Sequence, residues 1–170
     1  MPLSPLGDLG PVIVSWGGTD LSTHFGTCNF RHSETNADVR EALHGQASVD
    51  AIHTGNGPCE FDIPCTRMTY AQLAAVLPGG SQSGGESGNV LDFNNKIGRS
   101  MYENAAELIV KRIVDGIADT DRSKWLHIPK SYPVPMFDVP FDLDTQRAFL
   151  VTFKGFPDAT TKLSWHIGDH

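Results

Sequence analysis

The sequence predicts a mainly β fold, an antiparallel β-sandwich or barrel with one short flanking α-helix at about residues 69–77 and long loops. Three observations predict this class. Several short segments alternate apolar and polar residues with a period of two, which is typical of half-buried strands. One segment carries helix caps and helical spacing. Turn signals rich in Gly and Pro separate these segments. A length of 170 residues without an evident linker indicates a single domain over residues 1–170.

The first half of the chain contains one weak and one clear group of strand patterns. Val12, Val14 and Trp16 share one face of a predicted strand that runs into a Gly-Gly turn. Weaker strand signals cover residues 26–32 and 48–53. The clearest strand covers residues 59–65, where Cys59, Phe61, Ile63 and Cys65 alternate with Glu60, Asp62 and Pro64. One face of this strand is therefore expected in the core, and the other is expected to be acidic. Because proline lacks a backbone donor, Pro64 favours an edge or terminal position.

Strand patterns dominate the last third of the chain. Apolar residues alternate in three segments there: Phe137, Val139, Phe141 and Leu143; Phe149, Val151 and Phe153; and Leu163, Trp165 and Ile167. Residues 142–146 are predicted to form the turn between the first two segments. Residues 101–116 fit a helix and a strand equally well, because the run LIVKRIV is β-branched yet also has loose helical spacing.

The predicted helix has a capping box at its start. Thr69 caps it and Gln72 follows three residues later. Helical spacing places one stripe of side chains against the sheet: Tyr70, Leu73, Ala74 and Leu77. Pro78 and Gly79 end the helix.

Three segments lack core patterning. Residues 1–11 are rich in Pro, Gly and Leu and are predicted to form an extended N-terminal arm. Residues 79–89 (GGSQSGGESGN) are predicted to be a flexible Gly/Ser loop. Residues 33–46 are polar and charged, and they fit either a loop or a hairpin tip with one helical turn.

Composition excludes several classes of function. The formal net charge is −7, so the chain is not expected to grip the phosphates of nucleic acid. No apolar run reaches about 18 residues, so no membrane span is expected. The N-terminus lacks the pattern of a signal peptide. Together with three cysteines, an odd number, this favours reduced thiols.

Motifs for catalysis or cofactor binding are lacking in the sequence. It contains no Walker A loop, no G-x-S-x-G elbow, no HExxH pair and no EF-hand loop. The seven histidines are scattered, and Cys59 and Cys65 share an apolar strand face, so packing explains these thiols better than metal ligation. We therefore expect no enzyme, with no catalytic, cofactor-binding or metal residues.

Several fragments, taken in order, resemble a known family. Residues 12–21 read VIVSWGGTDL, residues 69–80 read TYAQLAAVLPGG and residues 103–113 read ENAAELIVKRI. Residues 128–158 then read IPKSYPVPMFDVPFDLDTQRAFLVTFKGFPD. No single fragment is diagnostic, but their order over residues 12–158 resembles the major tail tube proteins of long-tailed (siphovirus-type) phages, which are related in fold to type VI secretion tube subunits.

The resemblance implies a β-sandwich with one flanking helix, in which residues 107–114 form a strand. It implies homo-oligomeric rings, commonly hexamers, that stack into a tube through which DNA passes without specific binding. The implied partners are further copies of the chain, a tape-measure protein, a tail terminator and tail-tip proteins. The implied location is the virion tail, with assembly in the host cytoplasm. No membrane and no cofactor take part.

On this hypothesis, acidic strand faces could line the lumen and repel DNA, namely Glu60, Asp62, Asp138 and Asp142. Ring stacking would use the N-terminal arm, through Leu3, Leu6 and Leu9, and the charged segment, through Glu34, Asp38, Arg40 and Glu41.

Three alternatives remain open: a type VI or contractile-injection tube subunit, a tail terminator ring protein, and a small β-sandwich module that binds a ligand such as a sugar. The last predicts an exposed aromatic platform. The three tryptophans are its candidates, although strand alternation favours core positions for Trp16 and Trp165 and leaves Trp125 undecided.

Overall fold

A computed structural model describes residues 11–21, 27–40, 42–44, 47–85, 88–94, 97–137 and 148–169. Within these residues, most of the chain lies in antiparallel strands and only one short α-helix is present, as the sequence predicts. The strands are β1 Val12–Trp16, β2 Thr19–Asp20, β3 Asn29–Arg40, β4 Ser48–Cys65, β5 Gly80–Gly85, β6 Gly88–Phe93, β7 Ala106–Val114, β8 Ile117–Ala118, β9 Leu126–Met136, β10 Phe149–Phe156 and β11 His166–Ile167. The helix is α1 Tyr70–Val76, and 3₁₀ turns cover Ala42–His44 and Arg122–Lys124.

Within the described residues, the main sheet has nine strands and is open, with β2 and β3 at the two ends of its strand order. Its order is β2-β1-β7-β9-β10-β4-β3, with β8 added to β7 and β11 added to β9. The sheet does not close, so of the two predicted architectures the open, sandwich-like one applies and the barrel does not. Strands β5 and β6 form a separate hairpin.

The core lies on one face of the curved sheet. Along β4, Cys59, Phe61, Ile63 and Cys65 are all buried, as their alternation predicts. The register of the next strand sets Val151 opposite Ile63 and Phe153 opposite Phe61, so apolar side chains meet on the same face. Val14, Leu108, Val110, Leu126, Ile128 and Val76 complete this cluster, and Trp16 and Trp165 pack against it.

The helix begins and ends where its caps predict. Thr69 Oγ1 accepts a hydrogen bond from Gln72 N at 3.2 Å, and Thr69 N donates to Gln72 Oε1 at 2.8 Å. The predicted buried stripe is partly wrong, because Tyr70 is 46% exposed whereas Val76 is fully buried. A helix of seven residues has only two turns, and here the C-terminal turn makes the buried contact with the sheet.

The structure corrects the prediction for one segment and resolves the alternatives left open for another. Residues 79–89 were predicted to be a flexible loop, which is wrong, because residues 80–85 pair with residues 88–93 in the β5–β6 hairpin. A strand ladder is made by backbone groups, which Gly and Ser supply as well as other residues do. The ambiguous 101–116 segment contains strand β7, and Pro64 lies one residue before the end of β4, in the expected terminal position.

The predicted strand over residues 137–143 and the turn at 142–146 lie outside the described residues, except for Phe137. Residues 1–10 of the predicted N-terminal arm lie outside them as well.

Candidate functional site

A hairpin protrudes from the main sheet and is the most prominent candidate for an interaction element. Strand β10 pairs with β4 only from Cys59 to Cys65, whereas β3 continues to pair with β4 as far as Arg40 and Ser48. The described residues between 33 and 58 therefore form a two-stranded extension, here called the protruding hairpin. Seven paired residues beyond the sheet correspond to about 23 Å of strand.

The protruding hairpin is exposed on both faces. Among its described residues only Val39, Gly55 and Gly57 are even half-buried. Three large apolar side chains stand in solvent there: Leu43 is 95% exposed, Ile52 is 58% exposed and Val49 is also exposed. The register shifts at three places along the ladder, which is typical of irregular edge strands. For residues 33–46, the hairpin with a 3₁₀ turn at Ala42–His44 applies, and the loop alternative does not.

The structure brings three of the predicted stacking residues together on this element. Glu34 Oε2 lies 3.9 Å from His53 Nδ1, and Asp38 Oδ2 lies 3.5 Å from an Arg40 guanidinium nitrogen. These are exposed pairs, each of which contributes about 0–1 kcal/mol. Their side chains are therefore available to a partner at small cost.

The remaining predicted stacking and lumen residues fall outside the described residues. These are Leu3, Leu6 and Leu9 of the predicted N-terminal arm, Glu41 of the charged segment, and the two acidic residues Asp138 and Asp142.

The predicted acidic face of β4 carries a charge cluster. An Arg31 guanidinium nitrogen lies 3.0 Å from Glu60 Oε2, and its second lies 2.9 Å from Asp62 Oδ2. Thr152 Oγ1 also donates to Asp62 Oδ1 at 2.7 Å. Asp62 is only 5% exposed, so this face presents less negative charge to solvent than the sequence pattern predicts. Sequence reasoning missed Arg31, because the β3–β4 register that brings it to Glu60 is not encoded locally.

A concave site lies on the face of the main sheet that is opposite the core. Leu108 and Val110 of β7 point into the core, so their neighbours Glu107 and Ile109 point to the other face. His127 lies likewise between the buried Leu126 and Ile128. The cavity there has a volume of about 500 Å³. We call it the sheet-face pocket, and its floor is formed by Ile109, Trp125, His127, Pro129, Leu163 and His166.

Ring side chains are stacked in the floor of the sheet-face pocket. Strand β11 sets His166 opposite His127, and the two imidazoles stack with centroids 4.9 Å apart and planes within 6°. The Trp125 ring also stacks with His127, with ring centroids 6.1 Å apart and planes within 24°. His127 Nδ1 lies 2.9 Å from Glu107 Oε1. Sequence reasoning named Trp125 as a candidate platform but missed the histidines, because the pocket joins residues from 107 to 169.

The rim of the sheet-face pocket is polar. Glu107, Asp158 and Asp169 contribute carboxylates, Arg122 contributes a guanidinium and Thr161 a hydroxyl. Asp158 Oδ1 accepts hydrogen bonds from Thr161 N and Thr160 N, both at 2.9 Å, and from Thr161 Oγ1 at 3.2 Å. These bonds, above all the one from Thr161 N, hold the pKa of Asp158 below its ordinary value, so this acceptor stays ionised and fixed in place.

The three cysteines are free thiols that pack in or against the core. Burial raises the pKa of Cys28 and of Cys59 to about 11 and that of Cys65 to about 12. A thiol that stays protonated is a poor nucleophile and a poor metal ligand. Across the part of the chain that the structure describes, no group of three His, Cys, Asp or Glu side chains is arranged to hold a metal ion. Of the helices in that same part, none has the length and apolar character needed to cross a bilayer.

No protein-family model matches this chain, and no curated protein has a significantly similar sequence.

Proposed function

We propose that this chain is a self-assembling structural subunit of the tail-tube type, whose stacked rings form a conduit for DNA in a long-tailed phage. The proposal joins the order of sequence fragments that resembles tail tube proteins to one structural observation, the protruding hairpin. Its partners would be further copies of the chain, together with the tape-measure, terminator and tail-tip proteins of the same tail.

The protruding hairpin is the main structural support for the proposal, because such a hairpin is expected to be unstable in an isolated monomer. A two-stranded hairpin without a packed face is marginally stable at best in water. Here about 23 Å of such hairpin projects with Leu43, Val49 and Ile52 exposed. A contact with another copy would bury these side chains and fix the hairpin.

The open edges of the main sheet also support self-assembly. Strand β3 is the last strand on one side of the described sheet, and the short β2 and its neighbour β1 end the other side. Edge strands with unpaired backbone groups favour pairing with another chain. A contact between two different surfaces of identical subunits is heterologous, and its repetition gives a closed ring or an open filament.

Electrostatics supports passage of DNA through the tube without binding. Each subunit carries a formal net charge of −7, so a lumen wall that shares this excess of acidic groups would repel the phosphates. Of the two predicted lumen residues that the structure describes, Asp62 is nearly buried by Arg31 and Thr152, which leaves Glu60 as the better candidate.

Two related functions share the hairpin but differ in their assemblies. A contractile-injection tube subunit would also form filaments, and the genes beside its own would encode a sheath and a baseplate in place of a siphophage tail. A tail terminator would form a single ring and no filament, so microscopy distinguishes it from a tube subunit.

The proposal is tested by negative-stain microscopy and light scattering of the purified protein at high concentration. We expect rings or filaments from the unmodified chain. Leu43→Asp and Ile52→Asp, both in the protruding hairpin, should abolish them and leave a folded monomer. Val90→Asp is the matched control, because Val90 is also an exposed apolar strand residue, at 50%, but lies in the β5–β6 hairpin. A strictly monomeric unmodified protein without filaments would overturn the proposal.

A further inference from the structure

The sheet-face pocket is preformed. Its loops are held by backbone hydrogen bonds, from Gly168 N to Trp125 O at 3.0 Å, from Asp158 N to Leu163 O at 2.9 Å and from Lys162 N to Asp158 O at 2.9 Å. Trp125 Nε1 donates to Asp119 O at 2.9 Å, which fixes the indole at the floor. A volume of about 500 Å³ suits a small ligand. Little conformational entropy would be lost on binding, because these groups are already ordered.

The charges around the pocket disfavour an anion. Three carboxylates, from Glu107, Asp158 and Asp169, outnumber two cationic side chains, Arg122 in the lining and Lys111 over the Trp125 ring. Asp158 is ionised well below neutral pH, because backbone donors lower its pKa. A phosphate or another anion would meet net repulsion at the rim.

The chain itself already occupies the place that a cation would take. Lys111 Nζ lies 4.0 Å from the centroid of the Trp125 ring, and Arg122 Cζ lies 5.5 Å from it. A ligand cation would have to displace these groups or share the ring with them. The aromatic floor therefore offers ring edges and apolar surface from Ile109, Pro129 and Leu163, and no vacant cation site at Trp125.

What remains is a neutral ligand with many hydroxyl groups and some apolar C–H surface. Hydroxyls donate to carboxylates and accept from a guanidinium, so one ligand of this kind can satisfy both types of rim group. The three bonds described for Asp158 all use Oδ1. The C–H groups of a sugar ring can pack on the ring edges of the aromatic stack and on the apolar surface of Ile109, Pro129 and Leu163.

We propose that the sheet-face pocket is a saccharide-binding site, with Asp158, Asp169 and Glu107 as hydroxyl acceptors, Arg122 as a donor and the Trp125–His127–His166 stack as the apolar floor. This site lies on the sheet face opposite the core and is separate from the protruding hairpin. It does not depend on the proposed role in a tube.

Ligand-observed saturation-transfer NMR tests this on the full chain, in either a monomeric or an assembled state. The probes are D-glucose, D-galactose, D-mannose and N-acetyl-D-glucosamine, with glucose 6-phosphate as the anionic probe and L-lysine amide as the cationic probe. We expect saturation of at least one neutral sugar. Asp169→Ala and Arg122→Ala should each weaken its binding by about tenfold, because each removes a charged hydrogen-bonding group. Asp50→Ala, an exposed carboxylate on the protruding hairpin, is the matched control and should leave binding unchanged.

Three results would overturn the inference. The first is that no neutral sugar shows saturation at about 10 mM, a concentration at which even a complex with a millimolar Kd is populated. The second is that L-lysine amide or glucose 6-phosphate binds but no neutral sugar does. The third is that neither pocket variant weakens sugar binding. Each of these results leaves the tube proposal intact, because none concerns filaments. Conversely, an absence of filaments would leave the saccharide site intact.

Discussion

At the scale of single residues, Arg31 stabilises the nearly buried carboxylate of Asp62. This carboxylate has Arg31 at 2.9 Å and Thr152 as its second partner. Arg31→Met would leave this buried charge without its cation, and we expect a loss of about 1–3 kcal/mol in the free energy of unfolding. Urea denaturation measures this. Arg40→Met is the matched control, since the exposed Arg40–Asp38 pair should contribute less than about 1 kcal/mol. Equal losses in the two variants would contradict this role of Arg31.

The thiols make a second prediction at this scale. Burial, with a smaller contribution from Glu60, raises the pKa of Cys59 from its ordinary value of 9.0 to about 11. At pH 8 the native thiolate fraction should be about 100-fold lower than in the unfolded chain, so the disulfide reagent DTNB should react correspondingly slowly until urea is added.

The pH dependence of stability follows from the same shift. Above pH 9 the Cys59 thiol loses its proton in the unfolded chain but keeps it in the folded chain, because its folded pKa is about 11. The free energy of unfolding is therefore unaffected by this thiol below pH 9 and falls as pH rises from 9 toward about 11. Cys59→Ala should lose less of its stability over that interval than the unmodified protein. Rapid native labelling of all three cysteines would show that the thiols are not buried.

At the scale of elements, Gly57 allows the two strands at the base of the protruding hairpin to approach each other closely. A β-carbon at this position would lie 2.9 Å from the carbonyl oxygen of Ser33 and nearer still to its hydroxyl. Gly57→Ala should therefore push the strands apart and destabilise the hairpin by about 1–3 kcal/mol, with the core unaffected. Hydrogen exchange of the amides in residues 34–40 measures this. Gly84→Ala is the control, because no atom lies within 4 Å of its added β-carbon. Unchanged exchange in Gly57→Ala would contradict the close approach.

Elements that depend on local chemistry could be predicted from the sequence. The capping box of Thr69 and Gln72 predicts the start of α1, Pro78 and Gly79 predict its end, and alternation predicts the inward face of β4. The β5–β6 hairpin could not be predicted, because its Gly and Ser residues form a backbone ladder without an apolar pattern. Tyr70 was misplaced because helical periodicity does not specify which end of a short helix meets the sheet.

The candidate sites were less predictable than the fold. The charged segment of residues 33–46 gave a place for an interaction element, but its extension along β4 depends on a register that no local motif encodes. The sheet-face pocket joins side chains between residues 107 and 169, brought together by the pairings of β7, β9 and β11. Of the three tryptophans that the sequence offers as an aromatic platform, only Trp125 lines this pocket.

At the scale of the whole molecule, the protruding hairpin and the open sheet edges belong to the same chain, so a subunit offers both a projecting element and edges that can receive one. Contacts of this heterologous kind extend from copy to copy and do not stop at a dimer. The net charge of −7 opposes them, because every added copy brings more like charge close to its neighbours.

Because charge repulsion opposes the proposed assembly, its salt dependence tests which interactions hold the copies together. The Debye length falls from about 30 Å at 0.01 M salt to about 8 Å at 0.15 M, so salt screens repulsion between subunits that lie a few nanometres apart. The proposed contacts would use Leu43, Val49 and Ile52, which are exposed apolar side chains, so salt screening would not weaken them. We therefore expect the protein concentration needed for rings or filaments, measured by light scattering, to fall as NaCl rises over this range. Ile52→Asp should remain monomeric throughout, and Val90→Asp should follow the unmodified protein. Assembly that weakens as salt rises would show instead that intersubunit ion pairs, and not apolar contacts of the protruding hairpin, hold the copies together.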